Sequence, residues 1–362
     1  MENEASLHRL AASLGLSIGC QPDIQAGEVL SSAAEACLGE FDALTSNAFH
    51  WCALQPEGPG KWSWSRADAA VDWAEARGKN LRGHALLWYQ MLPNWLQQCD
   101  EPRTIERCLR EHVRTVVSRY RGRVASWDVV NEVIMIPDGH PDGMRRDFLH
   151  KHFDERYIDI AFEEAAAADP GAELVLNEAL LVHRDQEPQR VAFLRLVERL
   201  LRRGVPLQAC GIQGHLYWDD EQPMGPLDPP AIARHLRSLG ELGVDTLITE
   251  LDVFDARFPV SEPERDRLVA LAYEGLFTAI LGEPSLRGVV FWGLGDERSW
   301  FNTYVRRVLP DRIPGGNWRS RPLLFDNQFR PKPAYFAVAS TLRNFILGKH
   351  GNPEAQAAPV AA

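Results

Sequence analysis

The sequence predicts a single closed (β/α)8 barrel of the α/β class, and three observations predict it. Eight short apolar, β-branched runs recur between about residues 16 and 294. Stretches of helix formers, each ended by Gly or Pro, lie between them. Eight such units in roughly 300 residues fit the size of a closed barrel.

The first run is LSIGCQ (16–21), preceded by a short helix over about residues 5–14. FDALTS (41–46), NLRGHALLW (80–88) and VASWDVVNE (124–132) supply the second to fourth strands, and ELVLNEA (173–179), ACGIQGHL (209–216), DTLITELDV (245–253) and GVVFWGL (288–294) the rest. RADAAVDWAEARG, TIERCLREHVRTVVSRYRG, ERYIDIAFEEAAAADPG and PQRVAFLRLVERLLRRGVP have the helical period expected of crossover connections. A last helix, PAYFAVASTLRNFILG, closes one catalytic domain over residues 1–347 and leaves a C-terminal tail over 348–362 with little to bury, expected to be disordered. The competing fold is an open doubly wound sheet. It would carry a Gly-rich phosphate loop after the first strand, and GCQPDIQAGE contains no GxGxxG.

Of the 362 residues, 45% are hydrophobic and 25% charged, enough to build a large core and too apolar for a disordered chain. A formal charge of -11 argues against nucleic acid as a partner, since that affinity rests on clustered Lys and Arg. A neutral or polar small-molecule or sugar substrate fits better. No run approaches ~18 uninterrupted apolar residues, so no membrane span is expected. The six cysteines, at 20, 37, 52, 99, 108 and 210, lack metal-ligand spacing and read as reduced thiols; no metal and no cofactor is implied. The N-terminus opens with acids and has no basic-then-apolar leader, and a faint lipoprotein-like Ser17-Ile18-Gly19-Cys20 is better explained as strand. A cytoplasmic monomer is the default expectation.

In a closed parallel barrel the active site lies at the C-terminal strand ends. Those ends collect Asn47 and His50; His84, Trp88, Tyr89 and Gln90; Asn131 and Glu132; Asn177 and Glu178; Gln213 and His215; Glu250 and Asp252; and Trp292. Singly, each of these is more often a packing or paired residue. Together they form one polar and aromatic mouth. Glu132 and Glu250 leave strands four and seven, on opposing sides of the barrel. Glycoside hydrolysis needs such a pair, about 5–5.5 Å apart for retention and roughly 6.5–9.5 Å for inversion. His215 and Asp252 beside Glu250 favour its charged form, which suits a nucleophile, and leave Glu132 to cycle a proton. Of the eleven tryptophans, Trp88, Trp292 and Trp300 are placed to stack on sugar rings; Trp73 and Trp127 fit the core, and Trp62, Trp64, Trp95, Trp218 and Trp318 are undecided.

RGHALLW (82–88), LPNWL (92–96), WDVVNE (127–132), GIQGH (211–215), ITELD (248–252), FWGLGDERSW (291–300) and RPLLFD (321–326) resemble glycoside hydrolase family 10, the barrel xylanases, in order and spacing. The resemblance implies endo-β-1,4-xylanase action with Glu132 as acid/base and Glu250 as nucleophile, Asn131 on the sugar 2-hydroxyl, His215 and Asp252 tuning Glu250, and Gln213 close to both carboxylates. His84, Trp88, Trp292 and Trp300 would wall the same sugar.

The chain departs from the family after strand two. Ser46-Asn47-Ala48-Phe49-His50-Trp51 replaces a Glu-Asn-Glu-Met-Lys-like stretch, keeping the Asn but losing a Glu and substituting His for Lys. Tyr89 replaces a usual His, and Ala179 a usual aromatic. These changes bear on which sugar is held more than on the reaction, so another β-linked polysaccharide, exopolysaccharide fragment or glycoconjugate is an alternative substrate. A non-catalytic sugar-binding barrel is a further alternative. A metallohydrolase using His84, His215, Asp252 and both glutamates lacks any HxH or HExxH spacing.

Overall fold

The computed structural model describes residues 6–22, 28–217, 228–256, 258, 261–308, 315 and 317–351. Nine strand segments form one parallel sheet: β1 (Ser17–Cys20), β2 (Ala43–Ser46), β3 (Asn80–Gly83), β4 (Leu87–Trp88), β5 (Ser126–Asn131), β6 (Glu173–Glu178), β7 (Ala209–Tyr217), β8 (Asp245–Phe254) and β9 (Leu286–Phe291). β1 pairs with both β2 and β9, and β3 with both β2 and β5, which closes the ring. β3 and β4 both pair with β5 and share one of the eight barrel positions. The third predicted strand is thus broken at residues 84–86, where the His84–Ala85 peptide is cis. That break turns the chain out of the ladder where His84 enters the cavity.

A helix follows each barrel position: Ser32–Leu38, Ser65–Glu75, Pro102–Arg119, Arg156–Ala168, Glu187–Arg202, Pro229–Glu241, Glu262–Ile280 and Pro333–Gly351. Pro102–Arg119 shows why these segments are helical. The Glu101 side chain accepts from the backbone N–H groups of Arg103 and Thr104, Pro102 occupies the first turn where no N–H is needed, and Ile105, Leu109, Val113, Val116 and Val117 are buried on one face. The strands are covered by helices outside and by each other's side chains inside, so they read as continuous apolar runs. Close packing within the barrel needs glycine at one place in particular. A Cβ on Gly83 would lie 2.2 Å from the ring of fully buried Trp127.

The last helix runs to Gly351, past Gly348 where its end was expected. A single glycine costs a helix only about 1 kcal/mol, and the tail from 352 lies outside the described residues. Trp127 is core as expected, whereas Trp73 is half-buried with Arg77 over its ring. All six cysteines are unpaired. Among the described residues, no helix is long and apolar enough to cross a membrane.

Candidate active site

Three irregularities in the ladder fall at the strand ends that carry the chemistry. The register shifts between Asp128 and Val130 on β5, between Gln213 and His215 on β7, and between Ile248 and Leu251 on β8. Bulges re-aim side chains, and here they sit beside Glu132, Gln213, His215 and Glu250. Glu132 and Glu250 themselves have left-handed backbones, with φ of 60° and 57°. A side-chain-bearing residue held there costs about 1–3 kcal/mol and persists only where its surroundings over-determine it.

The surroundings of Glu250 are a chain of hydrogen bonds. Asn177 donates from Nδ2 to Glu250 Oε1 at 2.8 Å and to Asn131 Oδ1 at 2.9 Å. On the other carboxylate oxygen, His215 Nε2 lies 3.1 Å from Oε2, while His215 Nδ1 lies 2.9 Å from Asp252 Oδ1. Burial works against a charge on His215, but the charge of Asp252 and hydrogen bonds to Asp252 and Glu250 outweigh it and raise its pKa to about 10. At neutral pH His215 is therefore an imidazolium donating to two carboxylates. Asp252 accepts a further bond from Trp300 Nε1 at 2.6 Å, so one aromatic wall is tied to the same network.

Glu132 has a different environment. Burial, followed by the charge of Glu250, raises its pKa, against the bond from Gln213 and the charge of Arg145. Gln213 Nε2 donates to Glu132 Oε1 at 3.1 Å and to Asn131 Oδ1 at 3.2 Å. A continuous path therefore links Glu132 through Gln213, Asn131 and Asn177 to Glu250. Asn177 can lie across the barrel because β7 carries Gly211, whose added Cβ would be 2.1 Å from Asn177 Oδ1.

Both carboxylates open into one cavity of about 590 Å³. Asn47, His50, His84, Trp88, Tyr89, Gln90, Gln213, His215, Trp292 and Trp300 line it, as expected from the sequence. His84 is fixed at Nδ1 by Asp128 at 2.7 Å, and Asp128 is held in turn by Arg82. Burial opposes a charge on His84, yet the Asp128 hydrogen bond and the charges of Glu250 and Asp128 raise its pKa. Its ring meets Trp292 edge-on at 5.4 Å, and His50 at 5.7 Å. His50 is the opposite case. Burial, then the nearby His84 and Arg66 charges, lowers its pKa to about 3, leaving a neutral ring. His50 Nε2 and Asn47 Oδ1 are buried and have no protein hydrogen-bond partner.

One expected sugar contact is corrected. Asn177 is fully buried and does not line the cavity; its Nδ2 serves Asn131 and Glu250, and its Oδ1 accepts from Thr249 Oγ1 at 2.7 Å and Arg82 at 3.4 Å. Its hydrogen-bonding capacity is spent inside the protein. Asp252 lies behind His215, also fully buried. Sequence reasoning missed Gln21, Met135, Arg145, Leu180, Val182, His183, Arg298, Thr303 and Tyr304 as lining residues. Arg145 sits in a loop beyond the strand end, its guanidinium 3.9 Å from the Tyr89 ring centroid, and no periodicity marks it. Of the undecided tryptophans, Trp62 and Trp64 stack on each other and pack against the core, Trp95 donates to Gln55 O, Trp318 packs against a small apolar cluster with Arg265 over its ring, and Trp218 lies outside the described residues. Among the described residues, no group of three His, Cys, Asp or Glu could hold a metal ion.

A closed parallel barrel with two carboxylates on one cavity, wired together by amide side chains and flanked by indoles, defines a barrel glycoside hydrolase. The chain belongs to glycosyl hydrolase family 10, whose model matches residues 6–341. It is 33% identical to endo-1,4-beta-xylanase C of Paenibacillus barcinonensis over 92% of this chain, which spans only 32% of that relative's length. It is 30% identical to endo-1,4-beta-xylanase 1 of Gibberella zeae, over 84% of this chain and 82% of that one. Among solved structures, native xylanase 10B of Thermotoga maritima superposes with a TM-score of 0.81 at 28% identity, covering 95% of this chain and all of the other.

Proposed function

We propose that the chain hydrolyses internal β-1,4 bonds of xylan or xylo-oligosaccharides with retention of configuration, Glu250 acting as nucleophile and Glu132 as acid/base. The observation that carries this reading is the contrast between two linked carboxylates. One, Glu132, is biased toward its protonated form by burial and by the charge of the other. The other, Glu250, accepts hydrogen bonds on both oxygens, from Asn177 and from the His215 imidazolium. An acid and a nucleophile need that division.

In the first step a Glu250 oxygen attacks the anomeric carbon as the glycosidic C–O bond breaks, and the leaving oxygen takes the proton of Glu132. A glycosyl ester on Glu250 results. In the second step Glu132, now a carboxylate, takes a proton from water, whose oxygen attacks the same carbon and releases Glu250. Each attack inverts the centre, so the product retains the β configuration. Asn177 and His215 keep Glu250 in place through both steps.

Kinetics of two variants test the roles. Glu250→Ala removes turnover of every substrate. Glu132→Ala loses on the order of 10²–10⁴-fold on xylo-oligosaccharides, but keeps most of the first step on a dinitrophenyl β-xylobioside, whose leaving group needs no proton, and azide accelerates its second step. Equal loss by Glu132→Ala on both substrates, without azide acceleration, contradicts the acid/base role.

A further inference from the structure

Glu178, at the end of β6, is fully buried, and its carboxylate makes no contact with the cavity. Its Oε2 accepts from the backbone N–H groups of Val133 at 2.9 Å and Ile134 at 3.0 Å, and its Oε1 from Ala179 N at 2.9 Å. Val133 and Ile134 are the two residues that follow Glu132. The remaining backbone groups there are also fixed: Glu132 N donates to Asn177 O at 2.9 Å, Glu132 O accepts from Arg145 Nε at 2.9 Å, and Arg145 N donates to Val133 O at 2.8 Å. Every flanking peptide group that could let Glu132 relax from φ 60° is thus engaged.

A carboxylate is a costly way to satisfy three backbone donors in a place sealed from water. Burial, then the charge of Glu132, pushes the pKa of Glu178 upward, while the Ile134 and Ala179 N–H bonds favour its carboxylate; the two side chains are thus within electrostatic reach. Arg145 opposes that rise, and on the other side Tyr157 also feels the Glu178 charge. The placement makes sense if what is being held is the conformation of the neighbouring Glu132.

We propose that Glu178 is a positioning residue for acid catalysis, whose carboxylate clamps the Val133 and Ile134 N–H groups and so holds Glu132 in the left-handed conformation from which it protonates the leaving oxygen. The inference rests on the acid/base assignment of Glu132. It separates Glu178 from Glu250, whose partners are Asn177 and His215 and do not include the clamp.

The test is Glu178→Gln assayed on two substrates, a xylo-oligosaccharide and the dinitrophenyl β-xylobioside. Gln keeps the shape but must turn an NH2 toward either Ala179 N–H or the Val133–Ile134 pair, so one side of the clamp opens. The expected result is a loss of about 30-fold or more in kcat/KM on the oligosaccharide with less than about 3-fold on the activated xylobioside. Equal loss on both substrates, or no loss on either, overturns the clamp. If Glu178→Gln does not fold, Glu178→Asp, which keeps the charge and withdraws it by one methylene, is expected to show the same substrate split in smaller measure; equal loss there also overturns it. The wild-type protein is run on both substrates in parallel. Failure of the wild type to cleave the oligosaccharide refutes the hydrolase reading itself and the clamp with it, whereas wild-type turnover with an unsplit variant refutes the clamp alone.

Discussion

The cavity floor and the wall built by the segment after β2 solve different problems. On the floor, Glu132, Gln213, Asn131, Asn177, Glu250, His215 and Asp252 are joined by hydrogen bonds of 2.8–3.2 Å, and Asn177 has nothing left to offer a ligand. On the wall, His50 Nε2 and Asn47 Oδ1 are buried without a protein partner. A satisfied network fixes charges in advance of the reaction, so no reorganisation is needed at the moment of bond breaking. An unsatisfied buried polar atom costs stability unless a partner arrives. The floor is therefore built for chemistry common to many sugars, and the wall for discriminating among them. The departures from the usual family pattern, His50, Tyr89 and Ala179, line the cavity outside the floor network.

Two perturbations sharpen that contrast. The larger effect is expected on the floor. In Asp252→Asn the charge that raises His215 is gone, and one of the two bonds from His215 Nδ1 and Trp300 Nε1 loses its acceptor. A loss on the order of 10²–10³-fold in kcat/KM is expected, the scale of removing one preorganised donor. The sign for stability follows from the raised pKa. The contribution of His215 to the wild-type fold is fully present below its ordinary pKa of 6.5 and is lost as pH rises through about 10. Melting temperatures of wild type and Asp252→Asn between pH 6 and pH 10 should therefore converge as pH rises, and parallel curves would contradict the account.

The smaller effect is expected on the wall. His50→Ala removes one neutral hydrogen-bonding group, worth about 2- to 12-fold in kcat/KM for xylo-oligosaccharides. Because His50 is neutral well below pH 5, the ratio of wild-type to variant rates should not change between pH 5 and pH 8. A loss comparable to that of Asp252→Asn, or one that varies across that range, would place His50 in the reaction rather than in recognition.

The barrel was legible because closure demands eight apolar strands at regular intervals, and the strand ends were legible because polar residues interrupt those runs. The interrupted third strand was not, since the break at 84–86 contains Ala85 and Leu86, which run on into Leu87 and Trp88 as one apolar stretch. Asn177 was misplaced because strand position alone does not say whether a polar side chain turns into the cavity or across the barrel floor. Gly211, which makes room for it, was the available signal. Glu178 read only as one more strand-end acid, because its partners are backbone groups that no residue pattern reveals. Arg145 comes from an irregular connection, and Thr303 and Tyr304 from a π-helical turn over Phe301–Val305, and the paths of both depend on tertiary packing.

The most direct measurement of the central claim is the anomeric configuration of the first product. Proton NMR during cleavage of a β-1,4 xylo-oligosaccharide should show the β anomer of the new reducing end appearing first and the α anomer growing only by mutarotation. An α anomer appearing first would mean a single displacement by water and would contradict the assignment of Glu250 as nucleophile.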